Sequence, residues 1–253
     1  MCAILSLYIA GKCPKMLNFA VGKTKQKPTD MADLSFKIAL FDLDGTLFDT
    51  EGQYSVFWGE MGRRFHPEIP NFDKVIKGTT LKQIYERYFP SPEDQAIVTP
   101  LLEAFEAQMK YEFFPGVEAF IRDIKAHGVK CAVVTSSDQK KMSNVYRSMP
   151  NFQSLFDRIL TAEDFSASKP NPDCYLRGAK VFDAPLTDCV VFEDAFTGLQ
   201  AGTSAGIFTI GIASGLTPEQ IKDKCHHVIL TFEGLTYDGV QEILHSQSVR
   251  SLS

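Results

Sequence analysis

Short apolar runs that close on polar or acidic residues recur along the chain, and segments with apolar positions at helical spacing lie between them. SFKIALFD (35–42) is continuous in its apolar character and ends in acid before a glycine, which predicts a strand buried on both faces of a parallel sheet. VEAFIRDIKAHG (117–128) has helical periodicity and a glycine where a helix would stop. KCAVVTSS (130–137) predicts a second buried strand, RILTAEDF (158–165) a third, DCVVFEDA (188–195) a fourth and IFTIGIAS (207–214) a fifth. HHVIL (226–230) reads as an edge strand, and GLQAGTSAG (198–206) as a small-residue helix able to pack closely on a sheet. Strands alternating with helices imply an α/β fold with helices on both faces of a parallel sheet.

Between the first two strands, residues 52–114 carry helical periodicity and almost no strand signal. YSVFWGEMGRRF, TTLKQIYERYF and EDQAIVTPLLEAFEAQMKYEF predict three helices, with PEIPN and FPSPED as turns. Ordinary crossovers are shorter. The expected organisation is a Rossmann-like core over 34–51 and 115–245 with an inserted α-helical cap domain over 52–114. Two neighbouring chain crossings, near Asp49-Thr50 and Phe114-Pro115-Gly116, would serve as its hinges. Residues 1–33 open apolar and then turn basic, the reverse of a secretory signal. They read as a disordered or non-native extension ahead of a second start at Met31, with a short targeting segment as the alternative.

Composition narrows the class. The chain has 253 residues, 44% hydrophobic and 23% charged, with a formal net charge of −5. That excludes wholesale disorder and a polybasic nucleic-acid binder, and no stretch reaches the ~20 apolar residues of a spanning helix. Six cysteines without metal-type spacing read as reduced thiols, those at 131 and 189 as packing residues in strands, in a cytoplasmic protein. Monomer is the default expectation. Trp58 reads as a packing residue of the insert, and His226 and His227 as exposed polar residues.

Ligands of open parallel sheets bind at the carboxyl ends of the strands. The first strand ends in Asp42-Leu43-Asp44-Gly45-Thr46 and the second in Thr135-Ser136-Ser137-Asp138. Ser168-Lys169-Pro170 follows the third, and the fourth ends in Glu193-Asp194. Taken singly, Asp44-Gly45 could be a turn, Lys169 a solvated loop lysine and Glu193 a helix cap. Together they bring four carboxylates, hydroxyls and a lysine to one rim, a set that a divalent cation and an anion would satisfy. Oxygen-only ligands favour Mg²⁺ over Zn²⁺.

These four strand ends, in this order and with a helical insert after the first, resemble the motifs of the haloacid dehalogenase-like hydrolase superfamily. FDLDGTLFDT, SKPNPDCY and VFEDAFTGLQAGTSAG are the closest stretches, similar to the subgroup of β-phosphoglucomutase and related small-molecule phosphatases. The resemblance covers about 34–230. It implies Asp42 as the nucleophile that forms an aspartyl-phosphate and Asp44 as general acid and then base. Thr135 and Ser136 would bind phosphoryl oxygens, and Lys169 would neutralise the transition-state charge. Mg²⁺ would be held by Asp42, Asp44 through its backbone carbonyl, Asp194, and Glu193 directly or through water.

Asp44 argues against dehalogenation, since dehalogenase members lack that acid. Sugar-phosphate mutases of the β-phosphoglucomutase type carry a His and an Arg where Tyr54 and Leu81 stand here. Hydrolysis of a phosphomonoester of a small sugar, polyol or similar metabolite is therefore the leading expectation, and the mutase is the alternative. Lys77, Gly78 and Thr79 are the expected substrate contacts of the cap. A non-catalytic phosphate binder would have lost a motif acid, and none is lost.

Overall fold

A computed structural model describes residues 35–77 and 79–250, with side chains up to residue 246. The expectations for residues 1–33, and for Gly78, fall outside the described residues. In chain order the elements are β1 (Ile38–Phe41), α1 (Glu51–Phe65), α2 (Phe72–Val75), α3 (Leu81–Tyr88), α4 (Pro92–Glu106), α5 (Val117–Ala126), β2 (Lys130–Val134), α6 (Gln139–Ser148), α7 (Phe152–Leu155), β3 (Arg158–Leu160), α8 (Asp173–Lys180), β4 (Cys189–Glu193), α9 (Phe196–Ser204), β5 (Phe208–Ile212), α10 (Pro218–Ile221), β6 (His227–Ile229) and α11 (Tyr237–Arg250). The strands form one sheet in the order β3-β2-β1-β4-β5-β6, and every pairing is parallel.

The pattern of β1 explains its central place. Ala39 and Phe41 pack on one face with Val117, Phe120, Ile121 and Ile124 of α5 and with Met142 and Val145 of α6. Ile38 and Leu40 pack on the other with Tyr175 and Ala179 of α8 and Ala201 of α9. A strand apolar on both faces can only be an inner strand. The small residues of α9 let it sit close to the sheet: a Cβ on Gly202 would press on Val191 and Thr209.

Three readings change with the structure. The apolar run 158–165 stays in the sheet only for Arg158–Leu160. Thr161 and Asp164 then form a reciprocal capping box that turns Ala162–Asp164 into a 3-10 helix. The last helix of the insert ends at Glu106, and Phe113 instead bridges Phe48 in antiparallel fashion. A short helix, α2, is added where Phe72 drops into the apolar centre of the insert.

The insert has its own core of Phe57, Trp58, Met61, Phe72, Ile76, Ile84, Phe89, Val98 and Leu102. Trp58 is buried there against Phe57. The two strands of chain that enter and leave the insert are tied side by side: Asp49 N–H donates to Glu112 O (3.1 Å) and Phe114 N–H to Leu47 O (2.9 Å). Among the described residues no helix is long and apolar enough to cross a membrane. Cys131, Cys174 and Cys189 are buried free thiols, and burial pushes the Cys131 and Cys189 thiols up to about 12. His226 is exposed, and its Nδ1 accepts the Thr209 N–H.

Candidate active site

Strand register brings the motif residues together. Phe41 pairs with Val133 on one side and Phe192 on the other. Asp42, one residue further, therefore stands level with Val134 and Glu193, and its N–H donates to Phe192 O at 3.0 Å. Side chains at the ends of three adjacent central strands thus face one space above the sheet.

Lys169 enters that space from the loop before α8. Its ammonium is 2.6 Å from Asp42 Oδ1, 2.7 Å from Glu193 Oε1 and 3.2 Å from the Val134 carbonyl, and the side chain is 4% exposed. Burial alone would lower the Lys169 ammonium, but the Asp42 and Glu193 carboxylates beside it hold it well above the ordinary lysine value. Tyr175 of α8 donates its hydroxyl to the same Glu193 oxygen at 3.1 Å and lays its ring 5.0 Å from the ammonium.

Asp42, Glu193 and Asp194 each offer an oxygen, and these oxygens lie within 4.8 Å of one another. All three residues are buried. Burial pushes the Asp42 carboxyl up to about 7; Lys169 opposes the shift and Glu193 adds to it. Burial, with Glu193 and Asp42 as neighbours, drives the Asp194 carboxyl well above its ordinary range. The three buried carboxylates form an all-oxygen set that suits a hard divalent cation. These residues could hold such an ion. Glu193 does not cap α9, whose N-cap residue Ala195 has no side-chain cap bond; its Oε2 accepts the N–H groups of Asp194 (2.8 Å) and Ala195 (3.0 Å) in the turn just ahead of that helix. With Oε1 taken by Lys169 and Tyr175, both of its oxygens are already engaged.

Gly45 permits the close approach of the motif turn to this cluster. It sits at φ +80, and a Cβ there would overlap the Asp194 carboxylate. Thr46 donates to Asp194 Oδ1 at 3.0 Å, and Ser214 donates to Gly45 O at 2.5 Å. Asp44 points beside the cluster and accepts from Thr50 (2.9 Å), Ser137 (3.1 Å) and the Lys141 ammonium. Thr135 is buried, and its Oγ1 accepts the Ser137 N–H at 3.0 Å; Ser136 is exposed at the rim.

The site opens into a cavity of about 690 Å³ lined by both the core and the insert. Lys77 and Thr79 line it, but each has a local partner. The Lys77 ammonium is 3.3 Å from Glu51, and the Thr79 hydroxyl donates to Ile76 O at 2.6 Å. Sequence reasoning placed Thr46 and Ser137 at the strand ends without a role and missed Lys141 and the pair in which Tyr54 donates to Glu106 at 2.8 Å. Lys141 left one signal. It shares a helical stripe with buried Val145, four residues on.

Comparison with known proteins agrees with this geometry. The model of the family described as haloacid dehalogenase-like hydrolase matches residues 39–212. The bifunctional riboflavin kinase/FMN phosphatase of Arabidopsis thaliana is 32% identical over 184 residues, 69% of this chain and 48% of that protein, so the chain spans about half its length. The validoxylamine A 7'-phosphate phosphatase of Streptomyces hygroscopicus subsp. limoneus is 28% identical over 187 residues, 71% of this chain and 86% of that one. Among solved structures, a family IA, variant 3 hydrolase from Entamoeba histolytica superposes with a TM-score of 0.73 at 26% identity, over 83% of this chain and all of that one. The parallel sheet, the acids and lysine at its strand ends and the match over most of the chain make this protein a member of the haloacid dehalogenase-like hydrolases.

Proposed function

We propose that the chain is a Mg²⁺-dependent phosphomonoester hydrolase, acting on a small phosphorylated sugar, polyol or similar metabolite through an aspartyl-phosphate on Asp42. One observation carries the reading: a buried lysine contacts Asp42 at the end of the central strand, beside the buried acids Glu193 and Asp194 and two residues before the partly buried Asp44. Two relatives named as phosphatases support the same class of reaction.

Asp42 attacks phosphorus as the bond to the leaving oxygen breaks, and Asp44 gives that oxygen its proton. Asp44 then takes a proton from the water that attacks the phosphorus of the aspartyl-phosphate, and the bond from phosphorus to the Asp42 oxygen breaks, which restores the carboxylate and releases inorganic phosphate. Lys169 neutralises charge on the equatorial oxygens, and Thr135 and Ser136 hold them. Asp42, Asp194 and the Asp44 carbonyl would ligate Mg²⁺, and Glu193, its oxygens engaged, would act through water. Bound there, the ion shields the charged nucleophile from the charged phosphate. Residues 52–114 act as a cap over the cavity, with Lys77 and Thr79 on the lining that would meet the leaving group, and closure excludes bulk water.

Phosphate release is followed over a panel of glycerol phosphates, hexose and hexitol phosphates and phosphoglycolate, with Mg²⁺ or with EDTA. Release that requires both Mg²⁺ and Asp42, and vanishes in Asp42→Asn, is the expected result. Isomerisation of β-glucose 1-phosphate without release of phosphate would replace the hydrolase with a mutase.

A further inference from the structure

Lys141 is a second buried lysine at the site, and the chemistry above gives it no task. Its side chain is 7% exposed and leaves α6 on the stripe that packs against the core. An unpaired ammonium at such a position is strongly disfavoured. Its partner is Asp44 Oδ2, which also accepts from Ser137 (3.1 Å), while Asp44 Oδ1 accepts from Thr50 (2.9 Å). The ring of Tyr54, on the first helix of the insert, covers the ammonium at 4.8 Å, and the Tyr54 hydroxyl is anchored on Glu106 of α4. Three donors from two separate stretches of chain, Thr50 on one and Ser137 and Lys141 on the other, therefore hold both oxygens of one carboxyl group.

We infer that Lys141 is a positioning residue for this reaction, holding the Asp44 carboxyl in the orientation from which it serves the leaving-group oxygen. The inference rests on the function proposed above. In that step the bond from Asp42 to phosphorus forms, and the bond from phosphorus to the leaving oxygen breaks with its electron pair passing to that oxygen. The proton passes to it from Asp44. In this role Lys141, which lines the cavity beside Asp44, acts through the Asp44 carboxyl. Because Tyr54 covers it, the insert contributes to the alignment of the acid.

The test compares kcat/KM for the parent, Lys141→Met, Asp44→Asn and the double variant on two substrates with Mg²⁺. One substrate is the best alkyl phosphate of the panel, whose leaving alkoxide needs a proton. The other is p-nitrophenyl phosphate, whose leaving phenolate does not. Both single variants are expected to lose about 10²-fold on the alkyl phosphate and to stay within about threefold on the aryl phosphate. The double variant is expected to match Asp44→Asn, since one residue acts through the other. Equal loss on both substrates by Lys141→Met beside a selective loss by Asp44→Asn would overturn the inference alone, as would losses that multiply in the double variant. Equal loss by Asp44→Asn itself would overturn the acid role of Asp44, and the inference with it. Melting curves accompany each variant, and Lys141→Gln replaces Lys141→Met if the latter fails to fold.

Discussion

Lys169→Met leaves Asp42 and Glu193 buried without the cation that stands 2.6 and 2.7 Å from them. Removing one partner of a buried ion pair costs about 3–5 kcal/mol. For a domain of this size each kcal/mol moves the melting temperature by roughly 2–4 °C, so a loss of about 6–20 °C is expected. The pH dependence has a definite sign. The Asp42 carboxyl already sits near 7 with Lys169 opposing its burial, and removal of Lys169 takes it higher. A carboxyl whose folded value lies above its unfolded value binds protons preferentially in the folded state, so stability is gained as pH falls through the folded value. The deficit of the variant against the parent is therefore expected to be largest near pH 8 and to shrink toward pH 5.5. Scanning fluorimetry with EDTA present, over that pH range, measures it. A variant that melts within 2 °C of the parent at about pH 8, or a deficit independent of pH, would refute the charge balance assigned to this cluster.

Gly198→Ala places a Cβ into the Glu193 carboxylate. The Mg²⁺ concentration for half-maximal phosphate release is expected to rise about tenfold or more, and an unchanged Mg²⁺ titration would remove Glu193 from the metal site. Asp157 accepts the Cys131 N–H and sits beside Lys130 and Lys125. Burial would raise its carboxyl, but these partners outweigh burial and hold it below the ordinary value. The stability it contributes is present above the unfolded carboxylate value and lost as pH falls through the folded one. Asp157→Asn should thus cost about 1 kcal/mol at neutral pH and progressively less as pH falls below the ordinary carboxylate value of about 3.9, which urea melts at neutral and at acid pH would show.

Much of the fold was legible because β1, β2, β4 and β5 are buried on both faces and spell continuous apolar runs. Asp42, Thr135 and Glu193-Asp194 could be read as neighbours because each follows such a run, and parallel strands end on the same side. The segment after Leu160 was not legible in this way. Its apolar spacing continues, and only the Thr161–Asp164 capping box diverts the backbone. Lys141 was hidden for a related reason. It lies in QKKMSNVYRS, a polar-looking helix in which one of two adjacent lysines turns inward, and the partner that draws it, Asp44, is 97 residues away. The Tyr54–Glu106 pair likewise depends on how α1 and α4 pack, which local periodicity does not encode.

Trapping the covalent intermediate tests the central claim most directly. The protein is mixed with radiolabelled phosphomonoester and Mg²⁺, quenched in acid within the first turnover, and reduced with borohydride, which converts an aspartyl-phosphate to homoserine. Label on the protein and homoserine at position 42, both absent with EDTA, is the expected result. Steady release of phosphate with no label on the protein, or with label on a residue other than Asp42, would contradict the account.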